Sequence, residues 1–153
     1  MNNKELKLIL SKDIFARRLF KGVFPRDRLP QYVPQGPGIY IINTDHSSGP
    51  GEHWVCVCFD GRGNAEYFDS FGLPPLIPSI QRFITRNSFY SYTFNQRLLQ
   101  RLTSSYCGFY VLYYVLMKSR GASLYRIQQN FFVNNLWGND RRVKANVKYL
   151  VHK

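Results

Sequence analysis

A chain of 153 residues with 44% hydrophobic content fits one domain with a real core, whereas two domains of half that size would each be marginal. Its 12 Phe and 11 Tyr exclude low-complexity disorder, and a formal charge of +12 favours an anionic partner such as nucleic acid. Three cysteines are too few, and odd in number, for a disulfide framework; with no signal-peptide apolar region and no run of about 20 apolar residues, the expectation is a soluble protein of a reducing intracellular compartment.

Along the chain, Leu6, Leu8, Ile9 and Leu10 fall at helical spacing and a second short basic segment follows, so residues 3–20 are expected to form a helical lead-in. The breakers of Phe24 to Pro30 and Pro34 to Gly38 predict a loop covering one face of the domain. Ile39 to Asn43 reads as a buried strand, Asp45 to Gly51 as a turn, and Glu52 to Phe59 as a second strand. Asp60-Gly61-Arg62-Gly63-Asn64 is a hairpin signal leading into a strand that ends at Asp69. Ser79 to Arg86 has amphipathic helical spacing, and Phe89 to Phe94 alternates as a strand.

Phe109 to Met117 is an apolar run with the length of a buried helix, preceded directly by Cys107 and Gly108. Gly121 is placed to cap it, Ser123 to Phe132 predicts a further helix, and Val143, Val147, Leu150 and Val151 form an apolar stripe beside Arg141, Arg142, Lys144 and Lys148. There are no internal repeats and no linker, so the fold class predicted is a single α+β domain over residues 1–153.

Cys107 stands where a helix N-terminus offers free N–H groups and the positive end of its macrodipole, which favour the nucleophilic thiolate. His53, at a strand start, is the one histidine of three with a rigid mount; His46 lies in a polar turn and His152 is penultimate. Asp69, at the end of the strand after the hairpin, is placed to accept a hydrogen bond from the imidazole and fix its tautomer. A thiolate attacking a carbonyl also needs a donor for the oxyanion. Gln100 fits that role through its side-chain amide, with the Cys107 N–H, and Gln96 competes by composition. Cys56 and Cys58, two apart on one strand and therefore about 6.5 to 7 Å from one another, cannot readily form a disulfide together and read as small buried hydrophobes; no His/Cys cluster completes a metal site.

The order His, carboxylate, Gln, Cys, carried by His53-Trp54, Tyr67-Phe68-Asp69-Ser70-Phe71-Gly72, Gln100 and Cys107-Gly108-Phe109, resembles adenain, the adenovirus endopeptidase family, of the same clan as the SUMO-specific proteases. The spacing from Gln100 to Cys107 is like that of adenain and one residue longer than is typical of SUMO-type enzymes. Similar proteases occur in Polinton/Maverick-type transposons and related viruses. The resemblance implies an adenain-like mixed sheet flanked by helices, Cys107 as nucleophile, His53 as general base and acid, Asp69 as orienting carboxylate and Gln100 as oxyanion donor. It also implies substrate contacts from Trp54 and Gly108.

The function implied is cleavage of capsid or core precursors at Gly-containing sites during particle maturation, in the virion and the host nucleus or assembly site. No metal or organic cofactor is implied. DNA and a short viral peptide are implied as stimulators; with Cys56 and Cys58 expected to be buried, any such peptide binds non-covalently or is not needed. A monomer that binds DNA without sequence preference, and no membrane, completes the expectation. Two departures from adenain stand out: Asp69, the residue that SUMO-type relatives use, stands where adenain has Glu, and the chain ends sooner after Cys107, so surface features carried by that part of adenain are not assumed. The alternatives are an isopeptidase acting on ubiquitin-like modifiers and a non-enzymatic basic nucleic-acid-binding module.

Overall fold

Five strands form one mixed sheet in sequence order: β1 (Phe20–Pro25), β2 (Gly38–Asn43), β3 (Trp54–Phe59), β4 (Asn64–Phe68) and β5 (Ser91–Phe94). This computed structural model describes residues 1–153. The central pairs, β2 with β3 and β3 with β4, are antiparallel, while the outer strands β1 and β5 run parallel to their neighbours. Six helices complete the α+β domain: α1 (Asn3–Lys12), α2 (Ala16–Leu19), α3 (Pro78–Arg86), α4 (Cys107–Ser119), α5 (Leu124–Gln129) and α6 (Leu136–Val151).

The alternation along β3 sorts the core into two layers. Trp54, Cys56 and Cys58 face the larger cluster, built on α4 with α1, α5 and α6, whereas Val55, Val57 and Phe59 face a smaller one that contains Ile80, Phe83 and Ile84 of α3. With helices on both faces, β2 is buried at every position, which is why it reads as a continuous apolar run. α4, with nine buried residues, is fixed over β4 by the Phe68–Tyr114 ring stack, centroids 4.6 Å apart. Glu66 of β4 accepts from Tyr114 Oη at 2.6 Å and pairs with Lys118 at 3.0 Å.

The helical lead-in, the strands around His53 and Asp69, and the helix behind Cys107 lie where the sequence predicts them. β1 was not predicted. Its alternation is interrupted by Gly22, at φ +134°, where the register against β2 shifts, and Pro25 ends it. Only 26–37 of the breaker-rich stretch is left as connection. α5 stops at Gln129, short of the predicted Phe132, because Phe131 turns inward against Tyr110 and Tyr113. α6 starts well before its apolar stripe, since its first turns bury polar Asn139 and Asp140 instead of hydrophobes. No helix is long and apolar enough to cross a membrane.

Candidate active site

His53 sits one residue before β3. Its carbonyl accepts the Thr44 N–H at 2.8 Å, which extends the β2–β3 ladder by one step and makes the mount rigid. Asp69 follows β4 directly, and the antiparallel pairing of β4 with β3 returns it to the start of the His53 strand. The two side chains meet: His53 Nε2 lies 2.8 Å from Asp69 Oδ1, with both groups largely shielded from solvent. The other ring nitrogen is thereby left free of Asp69, and Cys107 is near enough to act on the titration of His53. The Phe71 ring stacks on the imidazole at 4.5 Å and 18°. Phe71 N–H donates to the same Asp69 oxygen at 2.9 Å, so one residue clamps both the ring and its carboxylate.

Cys107 is the first residue of α4, and no side chain caps that end, so the helix's free N–H groups are available to the sulfur. Burial by itself raises the thiol, but the hydrogen bond with His53, the backbone N–H groups of Trp54 and Gly108, and the positive charge of His53 together hold it below its ordinary value. Burial likewise opposes charge on His53. The bond to Asp69, the bond to Cys107 and the charges of both nonetheless push its pKa up to about 9. The lowered Cys107 and the raised His53 both favour a thiolate and imidazolium pair. Cys56 and Cys58 behave oppositely: burial pushes Cys56 well up and Cys58 to about 11, so both are inert thiols of the core.

Gln100 is fully buried, in contrast to the exposed Gln96. Ser70 Oγ donates to Gln100 Oε1 at 2.6 Å, and the Ser104 carbonyl, which can only accept, fixes the other end of the amide as the donor. Gln100 Nε2 donates to the Ser104 carbonyl at 2.8 Å and lies 3.4 Å from Ser104 Oγ. The Gln100 amide is thus already engaged by Ser104. The Leu99 and Gln100 N–H groups donate to the Ser70 carbonyl, tying this loop to the turn that carries Asp69. Trp54 and Gly108 are neighbours: a Cβ on Gly108 would lie 3.3 Å from the Trp54 ring and 3.0 Å from Met1 Sδ, and Trp54 Nε1 donates to Asn3 Oδ1 of α1 at 3.0 Å.

Sequence reasoning missed the supports. Buried Asn95 accepts the Asp69 N–H at 2.9 Å and donates back to the Asp69 carbonyl. Asp140 accepts from Tyr110 Oη at 2.8 Å and from Arg101 Nε at 3.1 Å, while Tyr110 Oη and Asn139 Nδ2 both sit 3.1 Å from the Leu99 carbonyl, so α4 and α6 together fix the Gln100 loop. Only Ser70 and Phe71, within the motif that flags Asp69, carried any signal in the sequence. No cluster of three or more His, Cys, Asp or Glu side chains is placed to hold a metal ion.

A thiol, an imidazole and a carboxylate in line, with backbone donors at the sulfur, is the arrangement of a thiol hydrolase. The comparisons agree. Part of the chain is homologous to a viral cysteine protease. It is 48% identical over 44 residues to a cysteine protease of African swine fever virus, Tick/Malawi isolate, a match that spans 27% of this chain and 16% of that protein. A "SUMO-1 cysteine protease" of the Pretoriuskop isolate is 46% identical over the same length. Two crystal structures of the African swine fever virus protease share the fold. One aligns with a TM-score of 0.62 at 18% identity, covering 95% of this chain and 65% of that one; the other has a TM-score of 0.55 at 25% identity, covering 78% and 44%. The alignments thus span about two thirds of the solved relative at most. No protein-family model matches the chain.

Proposed function

We propose that this chain is a cysteine endopeptidase that cuts precursor proteins of a virus or virus-like element at Gly-containing sites during particle maturation. The observation that carries the reading is the Cys107–His53–Asp69 line, with Asp69 at 2.8 Å from the imidazole and the thiol held below its ordinary pKa. In this mechanism the Cys107 thiolate attacks the scissile carbonyl, and the Cys107 N–H and a Gln100 amide hydrogen hold the oxyanion. The His53 imidazolium protonates the leaving amine as the thioester forms. Neutral His53 then takes a proton from water, which hydrolyses the thioester and regenerates the thiolate. Asp69 holds the ring and stabilises its charged form throughout. Trp54 and Gly108 line the path of the substrate backbone.

Domain 1–153 acts in this reading as a monomer without a metal or organic cofactor. The excess of 21 Lys and Arg over 9 Asp and Glu supports non-specific DNA contact through phosphates, steeply weakened by salt. DNA, and a peptide bound without a disulfide, are proposed stimulators at the virion or viral assembly site. Removal of a ubiquitin-like modifier is the second reading, favoured by the name of the SUMO-1 protease relative. The test is labelling of Cys107 by a Gly-Gly vinyl sulfone, with Cys107→Ala as control, followed by cleavage of Gly-Gly peptides against modifier fusions. No labelling of Cys107 would overturn both protease readings; cleavage confined to folded modifier fusions would select the second.

A further inference from the structure

Trp54, the neighbour of Gly108 at the head of α4, also lines one end of a groove of about 900 Å³ that runs between α1 and the turn joining β2 to β3. The charges along it are unequal. Lys4 and Lys7 project from α1 and Arg28 from the loop after β1, whereas Glu52 is the one acidic side chain in its lining. All three cations are exposed and none pairs with a carboxylate; His46, which also lines the groove, is already matched by Asp27 at 3.1 Å. Elsewhere, Arg101, Lys118 and Arg120 each have an acidic partner, while most other Lys and Arg side chains have none. Lys4, Lys7 and Arg28 thus bring an excess of positive charge into a concave surface that reaches Trp54, the neighbour of Gly108.

We infer that this groove is the extended substrate subsite and selects polypeptides with Asp or Glu a few residues from the scissile bond, with Lys4, Lys7 and Arg28 as the specificity-determining residues. The inference rests on the protease reading, since it is the Trp54 and Gly108 contact that joins the groove to Cys107. An extended chain advances about 3.3 Å per residue, so a segment leaving Trp54 passes the α1 lysines within a few residues. Each solvated ion pair contributes little, and three acting on one peptide amount to about a tenfold preference. Such a preference falls with salt.

The experiment compares Gly-Gly peptides carrying Glu, Gln or Lys at the third to sixth residues on each side of the cleaved bond. Cleavage is measured as kcat/KM with the wild type and with K4E/K7E/R28E, and peptide affinity by fluorescence anisotropy on Cys107→Ala protein with and without the same charge reversals. The expected result is about tenfold better cleavage and binding of the Glu peptide, diminishing with salt, and inversion toward the Lys peptide in the charge-reversed protein with Gly-Gly vinyl sulfone labelling retained. Equal use of the three peptides by labelled, active protein would overturn the inference and leave the protease reading standing. A Glu preference that survives charge reversal, while DNA affinity is lost, would also overturn it and assign these cations to nucleic acid. Failure of Cys107 to be labelled in the wild type is the separate outcome that removes the protease reading itself; anisotropy on the Cys107→Ala protein still reads the groove in that case.

Discussion

Replacing Asp69 by Asn keeps an oxygen beside His53 and the Phe71 N–H, since both contacts use the same atom, Oδ1, and removes only the charge. His53 stands at about 9 against an ordinary 6.5, which at 1.36 kcal/mol per pKa step corresponds to about 3 kcal/mol favouring imidazolium. Asp69 and Cys107 share that effect, and the share of a charged acceptor is on the order of 1.5–3 kcal/mol. Asp69→Asn is therefore expected to lower kcat/KM about 10- to 100-fold near neutral pH. It should also move the alkaline limb of the pH profile downward by a pKa step or more. The signs are opposite for the two partners. The raised His53 contributes stability that is complete below 6.5 and is lost as pH rises through about 9. The depressed Cys107 contributes stability that is complete above its ordinary value of 9.0 and is lost as pH falls through its lowered one. Asp69→Asn should thus narrow the ion-pair window from the alkaline side. The assay is kcat/KM across pH 5 to 10 beside the pH dependence of Cys107 alkylation by iodoacetamide, which reads the thiolate without turnover. An alkaline limb that stays at about 9 in the variant would refute the assignment of Asp69 as the group that charges His53.

Cys107→Ala is expected to abolish cleavage while melting close to the wild type, because it removes the nucleophile and little volume; residual processing by the purified variant would contradict the mechanism. His53→Ala should be nearly as severe, measured on the same peptides. Gln100→Ala should lower kcat about 10²- to 10³-fold with little change in KM, Gln96→Ala should be mild, and a defect confined to KM at Gln100 would count against its role. Gly72→Ala should lower the melting temperature and kcat together: at φ +73° a Cβ would lie 2.6 Å from the Arg97 carbonyl, so the strained turn costs about 2 kcal/mol or more and disturbs both Phe71 and the Gln100 loop.

The strands that mount His53 and Asp69 were legible because their apolar runs are local and their turns carry Gly. α4 was legible because nine of its residues are buried and apolar. β1 was not, since a parallel edge strand has no turn to announce its partner and Gly22 breaks its period. The start of α6 was equally silent, because Asn139 and Asp140 are buried by hydrogen bonds to loop and helix partners far away in sequence.

The same division applies to the site. Cys107, His53 and Asp69 each stand beside a backbone feature that sequence displays: a helix start, a strand start and a strand end. What orients them does not. Asn95 holds the backbone of Asp69 from 26 positions away, and Ser70 reaches Gln100 from 30. Such contacts follow from the parallel crossover between β4 and β5, which brings the Asn95 to Gln100 segment back beside the Asp69 turn. The crossover also explains why Gln100 and Gln96 could not be separated by composition. Only the fold buries one of them between Ser70 and Ser104 and leaves the other in solvent. The orienting shell is thus a property of topology, while the reacting groups are a property of local sequence. Substitutions in the shell should accordingly change rate and pH dependence without removing the thiolate that Cys107 owes to His53 and to the N-terminus of α4.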